Sequence, residues 1–299
     1  MPLRFGTTAM EFQATAQQII VDGIPDLSRI DAAEVVRDCI QENLSIAELT
    51  LDAHHIIPNL FTPLSINRLA DLKDDLGLSF TAHLPFWSIE LASFNEHIRK
   101  ASVESTIESI EIVRPLDPEA YVLHVTGDLG AYVSSLNYSG NVVPLLCTLL
   151  AGYAATSIEE ILSRTEINPR KIAIENVEFP FDFIRPVIDD LDTGICFDTA
   201  HLLSQMSGTE SIMDFYHAHK DRITEVHLQD GTITRYNEAI AREDHIALGR
   251  GIMGDLVLRE FLMELVKDKF DGPVIFELTK DEVRESLEFI RRAVPEALI

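Results

Sequence analysis

Residues 194–201 read GICFDTAH: an apolar run, Ile195, Cys196 and Phe197, meets a carboxylate, Asp198, with an imidazole three positions later, His201. A run of this kind opening on a glycine reads as a strand buried on both faces. Such a strand ending in two titratable groups implies that its far end opens onto a site. The pattern recurs along the chain in LRFGTT (3–8), IAELTL (46–51), SFTAHLP (79–85), YVLHVTG (121–127), KIAIENV (171–177), ITEVHLQ (223–229) and PVIFELT (273–279). Between these runs lie segments with apolar residues at helical spacing, among them DAAEVVRDCIQENL (31–44), NEHIRKASVESTIESIEIV (95–113) and LVLREFLMELVKDKF (256–270). Eight strand-then-helix units in 299 residues predict an α/β chain, a single (β/α)8 TIM barrel over residues 1–299. A doubly wound open sheet is the competing architecture, but no G-x-G-x-x-G follows the first strand.

Composition limits the partners. The chain is 46% hydrophobic and 24% charged, with a formal net charge of −25 spread along its length. That field repels polyanions, so nucleic acid is disfavoured as a partner and a small molecule is expected. The longest apolar run, VVPLLCTLLAGYAA (142–155), is interrupted by Pro144 and is shorter than the roughly 18–20 residues that span a bilayer, so no membrane association is expected. MPLRFGTTAMEF (1–12) lacks a basic n-region and a long apolar h-region, so a cytoplasmic location is expected. Cys39, Cys147 and Cys196 are far apart and in apolar surroundings, as reduced core residues would be.

The polar strand-end residues are His83, His124, Glu175, Asp198, His227 and Glu277, on the face where TIM barrels carry their sites. One strand histidine is ordinarily a hydrogen-bonded core residue. Six such groups together differ, because buried carboxylates need compensating positive charge and no strand end in the set supplies Lys or Arg. Metal ions supply it. His201 follows Asp198 past the strand end, and Glu243, Asp244 and His245 precede Gly249, Gly251 and Gly254 in the seventh strand-to-helix loop, REDHIALGRGIMGD (242–255), whose glycines let backbone fold close to a ligand or metal shell. His with Asp and Glu, without Cys, suits divalent metal, Zn first and Mn or Fe as alternatives. One ion needs about four to six ligands, so this many candidates imply two or three ions sharing a carboxylate. Clustered divalent ions suit hydrolysis of a phosphoester, because they generate a hydroxide and stabilise both attacking and leaving oxygens. Trp87, Phe86, Phe179 and Phe181 are candidates for the wall of a wide substrate site, and His54 and His55 for further substrate contacts on the same face. His97, His217 and His219 fall in helical stretches and are set aside.

The order H, H, E, D-x-x-H, H-L-x-D, H-x-x-L-G-x-G, E, carried by IENV, CFDTAH, VHLQD and HIALGRGIMG, resembles the xylose-isomerase-like superfamily, which includes trinuclear-zinc apurinic-site endonucleases. The resemblance spans nearly the whole chain. It implies that Glu175 bridges two ions, with His83 and His124 on one and Asp198, His227 and Glu277 around the other, while His201, His245 and Glu243 or Asp244 hold a third. It also implies catalytic roles for Glu175, Asp198 and Glu277. Sugar isomerases and epimerases of the superfamily usually keep the counterparts of Glu175, Asp198, His227 and Glu277 and lack the additional histidines. Two longer segments, RPLDPEAYVLHVTGD (114–128) and IENVEFPFDFIRPVIDDLDTGICFDTAHLL (174–203), look like the cobamide-remodelling phosphodiesterases. This implies hydrolysis of the nucleotide-loop phosphoester of a cobamide, yielding cobinamide phosphate and an α-ribazole-type nucleoside. Thr199-Ala200 departs from that pattern, and a DNA phosphodiesterase of the apurinic-site type or a sugar (phosphate) isomerase or epimerase are the alternatives.

Overall fold

The computed structural model describes residues 2–9, 20–21, 24–27, 30–41, 43–57, 59–138, 140–236 and 239–298. Of the N-terminal stretch read for a leader, residue 1 and residues 10–12 lie outside the described residues. The eight expected strands are present as β1 (Arg4–Thr8), β2 (Ile46–Thr50), β3 (Ser79–His83), β4 (Tyr121–Leu123), β5 (Ile172–Glu175), β6 (Gly194–Asp198), β7 (Ile223–His227) and β8 (Pro273–Phe276). They pair in parallel and close into a barrel through β1 and β8. The chain is a TIM barrel.

Helices begin where the sequence supplies caps. Asp31, Thr62, Asn95, Ser211 and Thr279 each accept a backbone N–H in the first turn of the helix that follows, and Thr279 forms a reciprocal capping box with Glu282. The apolar run at 142 belongs to a 24-residue helix, Val142–Thr165, long and apolar enough by composition to cross a membrane. This corrects the expectation in two respects. Pro144 sits in the first turn, where proline is tolerated, and the helix continues through residues 156–165. Its stripe Cys147, Leu150, Ala154, Ile158 and Ile161 is buried at helical spacing, as in a helix laid on a barrel.

Strand alternation sorts the barrel into layers. Outward residues such as Phe197, stacked on Phe215 at 4.5 Å, pack beneath the helices. Inward residues form a small cluster of Ala120, Val122, Ala173 and Cys196, with Thr81, Glu48 and Glu225 buried in strands of the same barrel. Two residues further along the chain in each case come His83, Glu175, Asp198 and His227 at strand ends and His124 just past the end of β4.

Gly6 sits between two strands, in register with Ile46 and Ile275. A Cβ there would lie 2.6 Å from the Ile46 carbonyl oxygen and 2.7 Å from the Ile46 Cβ, so the strands would have to part. Gly6→Ala is therefore expected to lower unfolding stability by about 1–3 kcal/mol, the cost of overpacking, measured by urea titration at constant m.

Candidate metal centre

Asp198 answers the question its own strand raises. It ends β6, caps the short helix Thr199–Leu203, and accepts the His201 backbone N–H at 2.7 Å through Oδ1. The cap turns the chain so that the D-x-x-H spacing brings both side chains to the same end of the barrel. His201 Nδ1 then lies 3.2 Å from Glu175 Oε1 and 3.8 Å from Asp198 Oδ1.

Glu175, almost fully buried, is the hub. Its Oε2 lies 2.8 Å from His124 Nε2 and 3.3 Å from His83 Nε2, while its Oε1 faces His201 and, at 3.7 Å, His227 Nδ1. Glu277 Oε2 lies 3.1 Å from His227 Nδ1 and 3.0 Å from His245 Nε2. Ligand atoms sharing a tetrahedral ion with bonds near 2.1 Å sit about 3.4 Å apart, and these separations straddle that value. Five sets among the described residues have ligand atoms within 4.8 Å of one another, and three of them gather at this end of the barrel without cysteine: His83, His124 and Glu175; Glu175, Asp198, His227 and Glu277; and Asp198, His201 and His245. Nδ1 of His227, fully buried, has no hydrogen-bond partner among the described residues, so the donor set fits a cation there.

The seventh loop differs from expectation. Asp230–Tyr236 and Ala239–Ile246 pair as an antiparallel hairpin, and residues 237–238 lie outside the described residues. Asp230 pairs with Ile246 and Thr232 with Glu243, so Asp244 and His245 together face the single residue Gly231. With His245 in the left-handed region at φ 52°, this bulge brings adjacent side chains to one side. Asp244 Oδ1 lies 3.1 Å from His245 Nδ1, and its Oδ2 lies 3.6 Å from His201 Nε2. Glu243 is exposed and does not line the cavity, so the aspartate replaces it as the acid at this end of the site. The glycines here gather around a carboxylate: buried Asp230 accepts the backbone N–H groups of Gly231, Gly249, Gly251 and Met253 at 2.9–3.1 Å.

The cavity over the cluster has a volume of about 630 Å3, and no Lys or Arg lines it among the described residues. Phe86 packs against His83 and His124, with ring centroids at 5.3 and 4.8 Å. Trp87, 48% exposed, stands at the boundary with a second chamber of about 510 Å3 that also includes His55 and Ile98. The backbone N–H groups of Phe86 and Trp87 are held by Asp52 at 3.1 and 2.9 Å. Phe179 and Phe181 are corrections, because both are buried, against Phe183 and Phe215 respectively, and neither lines the cavity. His54 lines neither chamber, and exposed His55 lies 3.1 Å from Ser105 Oγ.

Several polar residues escaped the sequence reading. Gln229 donates to Asp198 Oδ2 at 2.7 Å and to Glu277 Oε2 at 3.2 Å, and accepts the Glu277 backbone N–H at 3.0 Å. Asn176 exchanges two hydrogen bonds with the Asp198 backbone, at 2.7 and 2.9 Å. HLQD and IEN contained the signal, since a polar residue adjacent to a strand-end ligand is well placed to fix it. Glu48 and Glu225, deeper in the barrel, carried no such mark.

Burial opposes charge on His83 and His201, but Glu175 beside the first and Asp198 and Glu175 beside the second push both up to about 9. Burial likewise opposes charge on Glu175 and Glu277, yet neighbouring imidazoles hold both well below the usual carboxylate range. His124 moves down, because burial outweighs its share of the Glu175 charge and His83 repels it. The raised histidines stabilise the fold fully below their ordinary value of 6.5 and lose that contribution as pH rises towards about 9. The depressed carboxylates lose theirs as pH falls below their ordinary value of 4.5. Metal-free protein is therefore expected to have its highest Tm between about pH 5 and 6.5 and a lower Tm at pH 9, read by calorimetry in chelator.

Comparison with known proteins agrees with this architecture. The description "Xylose isomerase-like TIM barrel" matches residues 47–293. The chain belongs to that family. Among curated proteins it is 25% identical over 272 residues to the uncharacterized protein MJ1311 of Methanocaldococcus jannaschii, covering 84% of this chain and 85% of that one. Among solved structures it resembles a D-tagatose 3-epimerase-like protein (TM-score 0.66, 21% identity, 98% of each chain). It also resembles endonuclease IV from Thermus thermophilus (TM-score 0.63, 16% identity, 99% of this chain and 100% of that one). A third is the TTHB071 protein of the same organism, soaked with ZnCl2 (TM-score 0.61, 20% identity, 99% of each chain). At these identities the family members share the barrel.

The bulge geometry separates the two neighbouring acids. Asp244→Asn is expected to lower the cation content of the loaded protein, whereas Glu243→Gln is expected to leave it unchanged. Elemental analysis after desalting checks both; loss confined to the Glu243 variant would mean that the hairpin register is wrong.

Proposed function

We propose that this chain is a phosphoric diester hydrolase using two or three divalent cations, zinc first, on the nucleotide-loop phosphoester of a cobamide. The observation that carries the reading is the convergence of four histidines, His83, His124, His201 and His245, with Glu175 and Glu277 on one cavity, and with Asp198 and His227 buried in contact with them. One ion does not need so many donors; two or three sharing Glu175 and Asp198 do. In this reading His83 and His124 with Glu175 hold one ion, Asp198, His227 and Glu277 with Glu175 hold the second, and His201, His245 and Asp244 serve the third. Held by these residues, divalent cations would supply Lewis-acid polarisation of the phosphoryl group and would offset charge on the attacking and leaving oxygens.

The chain's own residues do the rest. Glu175, Asp198 and Glu277 supply the negative charge that retains cations, and Gln229 locks the last two against rotation. Phe86 and Trp87, pinned by Asp52, present an aromatic wall towards the bulky remainder of the substrate. The two adjoining chambers, about 630 and 510 Å3, are each of the size that buries drug-sized ligands, roughly 300–1,000 Å3. In the reaction a water oxygen bonds to phosphorus, the bond from phosphorus to the ribose oxygen breaks, and that oxygen leaves with a proton. Cobinamide phosphate and an α-ribazole-type nucleoside result. The formal charge of −25 and the lack of Lys or Arg among the described residues that line the cavity weigh against a duplex DNA substrate. We place the protein in the cytoplasm as one domain over residues 1–299, a setting in which its three cysteines stay reduced.

A sugar isomerase or epimerase is the second reading, favoured by the compact group Glu175, Asp198, His227 and Glu277, which alone suits one ion. Elemental analysis and product analysis separate the readings. We expect more than one ion per chain, and chromatographic release of cobinamide phosphate and the nucleoside from a cobamide. Abasic duplex should remain uncut at physiological salt. One ion per chain with conversion of a ketose would replace the hydrolase by the isomerase, and duplex incision with unaltered corrinoid would replace it by a nuclease.

A further inference from the structure

We propose that Glu48, on β2, is a positioning residue: it accepts the Nε2–H of His227 across the barrel and thereby presents Nδ1 of the same ring to the cation site. The inference rests on the reading of His227 as a metal ligand. The imidazole has one edge towards each layer of the barrel. Nδ1 lies 3.1 Å from Glu277 Oε2, on the side of the cluster. Nε2 lies 3.5 Å from Glu48 Oε1, on the side of the barrel floor. His227 and Glu48 are both completely buried, and among the described residues neither Nε2 nor that oxygen has a hydrogen-bond partner.

Two buried orphans at that separation satisfy each other with a shift of a few tenths of an ångström, and buried polar atoms are rarely left without a partner. The pairing has a consequence for the ring. An imidazole can offer a lone pair through Nδ1 only when its hydrogen is on Nε2, and a buried N–H needs an acceptor. A carboxylate accepting from the far nitrogen fixes the tautomer and the plane of a ligating histidine and raises its basicity. Glu48 is itself oriented, because Thr81 Oγ1, on the adjacent strand β3, donates to Glu48 Oε2 at 3.1 Å and leaves Oε1 facing His227. Glu225 shares this floor, with its ligand oxygen within 4.8 Å of those of Glu48 and His227. The three could instead form a separate cation site, and the experiment distinguishes the two arrangements.

The probe is Co2+ alone, titrated into metal-free protein in competition with a chelator and followed by its visible absorption spectrum. Wild-type protein is expected to bind with a spectrum typical of nitrogen and oxygen ligands. Glu48→Gln, which has no charge and can donate to Nε2, is expected to weaken binding of the His227-dependent ion by about 10- to 100-fold and to shift its spectrum, with stoichiometry retained at saturation. Thr81→Val keeps Glu48 but removes its anchor, and is expected to shift affinity less and in the same direction; it serves should Glu48→Gln not fold. Wild-type affinity and spectrum in the folded variants would overturn the positioning role while leaving the metal centre intact. Loss of one whole ion from Glu48→Gln, with the remaining ions bound as in wild type, would overturn it in favour of a separate site on the floor. Absence of Co2+ binding to wild type would overturn the metal reading and this inference with it.

Discussion

The Glu175 carboxylate, buried at the mouth of the barrel with imidazoles on both of its oxygens, is the constraint on which the remaining structure depends. An isolated charge at such depth would cost several kcal/mol, and it is tolerated only because neighbouring groups answer it. Those neighbours come from four other places in the chain: the end of β3, the residue after β4, the turn after β6 and the end of β7. Barrel closure is what brings them together, since β5 hydrogen-bonds only to β4 and β6. The same closure makes the site demanding on the fold. Asp198 must end its strand at the right residue to cap the following turn, and Gln229 must reach both Asp198 and Glu277.

The seventh loop solves a different problem, that of presenting consecutive residues on one side of an extended chain. Regular alternation would send Asp244 and His245 to opposite faces. The additional residue opposite Gly231 and the left-handed backbone at His245 remove that alternation. A non-glycine residue in that region is strained, and such strain persists only where the surroundings over-determine it. Here the surroundings include the Asp230 carboxylate, whose four backbone N–H partners fix the loop after the hairpin. Gly251 is needed for this, because a Cβ there would collide with that carboxylate and with the Gly231 carbonyl.

Most of the barrel was legible because each strand carries its own signal: a short apolar run, a period of two near its end, and a helix-length amphipathic segment after it. The strand-end donors were legible for the same reason, being polar residues where an apolar run stops. What could not be read was anything set by long-range contact. Nothing in REDH distinguishes Glu243 from Asp244 until the hairpin register is known. Phe179 and Phe181 are as aromatic as Phe86 and Trp87, but the segment after β5 turns them beneath the surface while the segment after β3 leaves Trp87 exposed. Pro144 looked like an interruption because a run of residues does not show where a helix begins.

Glu48 and Glu225 mark the deeper limit of sequence reading and also its physical interest. A glutamate inside a strand has no local excuse, and both are completely buried. Burial first, and then the charge of Glu48, push Glu225 well above the carboxylate range. A purely structural barrel would fill this layer with Val, Ile and Leu. Val122, Ala173 and Cys196 keep the layer apolar on the strands between, and the acids stand on the strands that face His227 and carry it. The polar floor thus lies under His227, whose two ring nitrogens face Glu277 above and Glu48 below, which is where an outer acceptor would be needed if that ring is to serve a cation.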